Sequence, residues 1–157
     1  HVWDGECHVH AGIRPRDIDD MQAAHPEAEF LVHPECGCTT QVMEFVAAGD
    51  IDAEHTHMLS TGGMLDFARE SDADEFIVAT ETGMLYPLEQ ANPGKTFIAA
   101  NRQAFCKYMK MITLPKLRDA LRDMAPVVKV DPAIAERARV PIERMVAIGP
   151  GTAVKQA

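Results

Sequence analysis

Glu29-Phe30-Leu31-Val32-His33-Pro34-Glu35-Cys36 is the stretch whose reading decides the fold. A short apolar run of this kind reads as a buried strand. It ends abruptly in an imidazole, a proline, a carboxylate and a thiol, and a second thiol follows at Cys38. Such an ending is costly unless it does chemistry. In an open parallel α/β sheet, ligands occupy the crevice beyond the carboxyl ends of the strands, so reactive side chains gathered there form a candidate site.

The rest of the chain repeats the pattern. Residues 75–79 form the clearest second strand and run into the polar turn Thr80-Glu81-Thr82-Gly83; residues 96–100 form another and run into Asn101-Arg102-Gln103. A weaker strand at residues 57–59 is followed at once by Ser60-Thr61-Gly62-Gly63. Between the strands lie helical patterns: Pro15 opens one with Ile18, Met21 and Ala24 at helical spacing, and residues 39–48 carry Val42, Phe45 and Val46. Met64, Leu65, Phe67 and Ala68 mark a third, and a short apolar helix runs from Met84 to about Glu89. From Thr113 the pattern turns helical, with Leu114, Leu117, Leu121 and Met124 on one face. An extended stretch at 127–130 then leads to a last helix, which Pro141 is expected to kink or divide.

Alternating strands and helices with short turns imply an α/β fold with a parallel sheet of about four strands and right-handed crossovers. One rim of that sheet then gathers His33, Glu35, Ser60, Thr61 and Glu81. Free backbone N–H groups at a helix start, beside two hydroxyls, suit a phosphate or carboxylate, although the same hydroxyls serve an ordinary N-cap. Before Pro15, Asp4-Gly5-Glu6-Cys7-His8-Val9-His10 reads as a loop or extended segment that brings soft donors together.

Composition bounds the function. With 157 residues, 46% of them hydrophobic, the chain is long enough for a domain with a real core. A net charge of −9 leaves no basic field for a nucleic acid or an anionic membrane. No run approaches the roughly 18 consecutive apolar residues of a membrane span, and no basic-then-apolar leader opens the chain, so a cytoplasmic location is expected. Four cysteines in a chain of this size point to metal or redox chemistry rather than a secreted disulfide scaffold. The chain starts at His1, and His1-Val2-Trp3 reads like the end of a strand, as if this were the back part of something longer.

The ordered motifs Gly5-x-Cys7-x-Val9-His10, His33-Pro34-Glu35-Cys36, Ser60-Thr61-Gly62, Ala79-Thr80-Glu81-x-Gly83-Met84, Cys106-x-x-Met109-Lys110 and Pro141-Ile142-x-Arg144-Met145 resemble those of the quinolinate synthase family, the A proteins of NAD biosynthesis. The resemblance spans about residues 3–149. It implies three similar αβα units around a pseudo-threefold axis, with an oxygen-sensitive [4Fe-4S] cluster at the centre held by one cysteine from each unit. By position, Cys7 and Cys106 match two of those ligands. His33 and Glu35 match the catalytic, substrate-binding histidine and glutamate, and Ser60 and Thr61 match hydroxyls that hold an anionic group of the substrate.

The implied reaction condenses iminoaspartate with dihydroxyacetone phosphate, with L-aspartate oxidase or aspartate dehydrogenase as the source of iminoaspartate. An iron without a protein ligand would accept a leaving hydroxyl, and Glu35 is the expected base. The implied division is an α/β unit at residues 1–105 and a segment 106–157 whose helices pack on an amino-terminal unit. A chain lacking that unit is expected to be inactive by itself.

Spacing alone suggests a different site. Cys36 and Cys38 beside His33 look like half a zinc site, and a non-enzymatic module using Cys7, His10, Cys36 and Cys38 is the alternative reading. By family position neither Cys36 nor Cys38 binds the cluster. Cys106 separates the two readings, because the zinc site leaves it idle. His55 and His57 are expected to be solvated and without a role.

Overall fold

The computed structural model describes residues 5, 7–34, 39–49 and 53–148. The chain divides into two compact units, His1–Met111 and Ile112–Ala157, so Cys106 belongs to the first.

The first unit is built on four parallel strands, β1 (Glu29–Val32), β2 (Thr56–Met58), β3 (Glu75–Ala79) and β4 (Thr96–Ala99), in the order β2-β1-β3-β4. After their opening Glu29 and Glu75, strands β1 and β3 are apolar and buried throughout, as central strands covered on both faces are. In register, Phe30 pairs with Ile77 and Val32 with Ala79. Side chains alternate between faces, and the core is accordingly divided in two. Phe30, Val32, Ile77 and Ala79 pack with Ile18 of α1 (Pro15–Ala24) and Val42 of α2 (Thr39–Ala48). Leu31, Phe76, Val78 and Phe97 pack with Met64 and Ala68 of α3 (Thr61–Glu70) and Leu88 of α4 (Leu85–Ala91). The unit is a three-layer αβα structure. The reversal of direction after β2, with the following helices on the opposite face, is what right-handed crossovers require.

Local signals explain the helix boundaries. Proline stands at the first helical position of α1, where its missing N–H costs nothing, and Asp17 Oδ2 accepts from the Arg14 N–H at 2.9 Å. Ser60 caps α3, its Oγ accepting from the Gly63 N–H at 3.1 Å. The far end of α3 is closed by Lys95, whose ammonium donates to the carbonyl of Ala68 at 2.8 Å and to that of Ser71, and lies 5.4 Å from the centre of the Phe76 ring.

Of the loop or extended segment expected before Pro15, the structure shows the loop: residues 8–9 form a turn and His10–Gly12 a 3₁₀ turn, and the Ala11 N–H reaches the Cys7 carbonyl at 2.9 Å. In the second unit, α5 (Leu114–Asp123) is capped by Thr113 and carries Pro115 in its first turn, and of the two effects expected of Pro141 the division does not occur, since α6 (Pro132–Ile148) runs through it. Neither α5 nor α6 contains a buried residue. Among the described residues no helix is long and apolar enough to cross a membrane.

Candidate active site

The sheet order has a switch point between β1 and β3, because the chain leaves β1 toward β2 and later returns past β1 to β3. In open α/β sheets that is where the loops diverge and leave a crevice at the carboxyl ends. His33 follows β1 there and Thr80 follows β3. The ladder persists up to this edge, since the His33 N–H donates to the Ala79 carbonyl at 3.3 Å and the Leu59 N–H to that of Val32 at 2.9 Å.

His10 joins them from the amino-terminal turn. Its ring stacks on that of His33, 4.7 Å between centroids and 3° from parallel, and its Nε2 is 3.0 Å from Thr80 Oγ1. Both His10 and Thr80 are buried, whereas His33 is half-buried and faces the rim. Three segments distant in sequence therefore meet through two imidazoles and a hydroxyl. Ser60 and Thr61 lie on the same rim at the exposed start of α3, one strand beyond β1.

A second part of the rim holds the thiols. Cys106 is buried in the core face that contains Val9, Ala100 and Ala104, and the half-buried Cys7 packs against that cluster. Both are free. The Met109 N–H points at Cys106 Sγ from 3.4 Å, and the His8 ring meets Tyr108 edge-on at 5.3 Å, so the two cysteine-bearing turns are in contact. Among the described residues no three His, Cys, Asp or Glu side chains are grouped to hold a metal by themselves. Two thiols, one already accepting an N–H, suit a cluster that draws a further ligand from elsewhere, because hydrogen bonds to sulfur stabilise a thiolate ligand.

The family model for NadA, the quinolinate synthetase A protein, matches residues 1–147. The chain belongs to this family. It is 50% identical over 149 residues to the quinolinate synthase of Mycobacterium tuberculosis strain H37Rv, covering 95% of this chain and 43% of the relative. It is 49% identical over 149 residues to that of Mycolicibacterium paratuberculosis strain K-10, with the same coverage. With that of Mycobacterium sp. strain KMS it shares 49% over 148 residues, 94% of this chain and 44% of the relative. The chain thus spans less than half the length of the quinolinate synthases it matches.

Of the residues singled out by sequence, the structure brings His33, Ser60 and Thr61 to one rim and Cys7 and Cys106 to one core. Glu35, Cys36 and Cys38 lie outside the described residues. Glu81, after β3, joins the part of the rim that holds the thiols, its carboxylate accepting from the Gly83 N–H at 2.8 Å and the Cys106 N–H at 3.2 Å.

His10 and Thr80 were missed as members of the site. His10 stood out as a soft donor and as the end of the motif Gly5-x-Cys7-x-Val9-His10, without a role, and its Nε2 is engaged by Thr80. The available signals were these ordered motifs, which include both residues, and the recurrence of a polar residue after each strand, which includes Thr80. His55 and His57 are not simply solvated. They flank the carboxylate of Glu29, at 3.4 Å (Nδ1 to Oε1) and 2.6 Å (Nε2 to Oε2), and His57 lies 4.0 Å from the Phe67 ring. Glu29 begins β1, so this cluster sits at the amino-terminal edge of the sheet, away from the rim.

Proposed function

We propose that this chain supplies part of a quinolinate synthase active site, for the condensation of iminoaspartate with dihydroxyacetone phosphate to quinolinate, in which one phosphate and two waters leave. The supporting observation is that Cys7 and Cys106, at opposite ends of the α/β unit in sequence, share one side of its core beside the stacked His10 and His33.

Cys7 and Cys106 would hold a [4Fe-4S] cluster, which when bound supplies a Lewis-acidic iron for a leaving hydroxyl. The remaining steps belong to the chain's own side chains. His33 offers a ring nitrogen as a hydrogen-bond donor to a carboxylate or carbonyl oxygen, and the face contact with His10 fixes the plane of that ring. At the start of α3 the first backbone N–H groups and the hydroxyls of Ser60 and Thr61 receive an anionic group, where the helix dipole favours negative charge. Glu35 follows His33 by two residues and is the proposed base for the proton transfers that aromatise the ring. The carbon skeletons, phosphate, waters and protons balance without an external oxidant.

Metal and sulfide analysis of the anaerobically reconstituted protein, together with the remainder of the synthase, tests this reading. Cys7→Ser and Cys106→Ser should each abolish the cluster's visible absorption and quinolinate formation. Retention of the absorption in both, with its loss in Cys36→Ser, would overturn the assignment.

A further inference from the structure

We propose that Glu81 is a positioning residue for Cys106, a role that rests on the reading of Cys106 as a ligand. Both carboxylate oxygens are in use although the side chain is only 13% exposed. Oε2 accepts from the Gly83 N–H at 2.8 Å and caps the 3₁₀ turn Thr82–Met84. Oε1 reaches across to the Cys106 N–H at 3.2 Å and faces Lys110 Nζ at 3.4 Å. Capping the turn needs only the first oxygen. The second grips both ends of the 106–110 turn.

That turn closes on the cysteine. The Lys110 N–H donates to the Cys106 carbonyl at 3.1 Å, and the Met109 N–H points at Sγ. Backbone hydrogen bonds on both sides of Cys106 thus fix where its sulfur sits, and the one on its N–H comes from Glu81. A largely buried carboxylate is costly unless fully paired, so three partners around it mark a built arrangement rather than a chance contact.

Gly83 fits the same arrangement. A Cβ on this residue would lie 2.6 Å from Glu81 Oε2 and 2.7 Å from Lys110 Nζ, so the space a side chain would need is occupied by the ion pair. Glu81 and Gly83 in one motif, and Cys106, Met109 and Lys110 in another, are thereby explained as a single device.

Amide hydrogen exchange on the intact protein freed of metal tests this without recourse to activity. In Glu81→Ala the amides of Cys106, Met109 and Lys110 should exchange about tenfold faster or more, the loss expected for one charge-assisted hydrogen bond. The amides of Leu31 and Ile77 should be unchanged. Glu81→Gln keeps an acceptor oxygen and should restore protection at Cys106, and Gly83→Ala should reproduce the Glu81→Ala pattern by displacing the carboxylate.

Unchanged exchange at Cys106, or uniform acceleration across the sheet, would overturn the proposal. Iron retention separates it from the reading on which it rests. If Cys106→Ser loses iron while Glu81→Ala keeps a full complement with an unaltered visible spectrum, the positioning role falls and the ligand assignment stands. If Cys106→Ser keeps its iron, the ligand assignment falls whatever Glu81 does.

Discussion

The rings of His10 and His33 are stacked 3° from parallel with their centroids 4.7 Å apart, although 23 positions of chain, a helix and a strand separate the two residues. The contact exists because the amino-terminal turn crosses the switch point of the sheet, where the loops after β1 and β3 part. Thr80 completes it by bonding the far nitrogen of His10.

Thr80→Val keeps the shape of the side chain and removes that partner from a buried imidazole. A loss of about 1–3 kcal/mol in unfolding free energy is expected, the usual cost of taking one partner from a buried polar group. Urea denaturation measures it; an unchanged midpoint would show that the Thr80 contact contributes nothing.

Ser60 carries two separable effects. As the N-cap of α3, its replacement by alanine should cost about 1 kcal/mol of stability. If Ser60 and Thr61 also hold an anionic group, the double variant Ser60→Ala, Thr61→Ala should bind substrate or product roughly tenfold to a hundredfold more weakly, the equivalent of about 1.5–3 kcal/mol. Unchanged affinity with reduced stability would leave these hydroxyls as a cap alone.

Lys95→Met keeps an unbranched apolar side chain and removes the ammonium from the carbonyls of Ala68 and Ser71 and from the Phe76 ring. The expected cost is about 1–2 kcal/mol, or a fall of several degrees in Tm for a chain of this size. A thermal melt followed by circular dichroism decides it, and an unaltered Tm would mean that water replaces the ammonium without loss.

The two units should differ in hydrogen exchange. Strands β1 and β3 are covered on both faces, whereas Leu114, Leu121 and Val128 are 82%, 68% and 84% exposed and nothing in α5 or α6 is buried. Slow exchange is therefore expected at residues 30–32 and 76–79 and fast exchange throughout 114–148, since helical stability comes mainly from a packed face. The isolated chain should also form no quinolinate in an anaerobic assay. Protection of α5 and α6 equal to that of the strands, in a monomer, would contradict this picture.

Much of the fold could be read from local pattern. The apolar runs of β1, β3 and β4, the prolines that open α1 and α5, and the hydroxyl that caps α3 are signals carried by a few consecutive residues, and the structure places each close to where it was expected. The ordered motifs also carried the family, because side chains needed for one chemistry recur at set places along the chain.

Pairings across the chain left no such trace. Periodicity reports which face of a strand is buried but not which strand lies beside it, so the order β2-β1-β3-β4, and with it the meeting of His33 and Thr80, belonged to the tertiary structure alone. The same holds for the partners of Glu81: the Cys106 N–H and the Lys110 ammonium are brought to its carboxylate by the segment after β4. A strand's sequence determines that it is buried; the partners that converge on its end are determined only when the whole chain has closed around it.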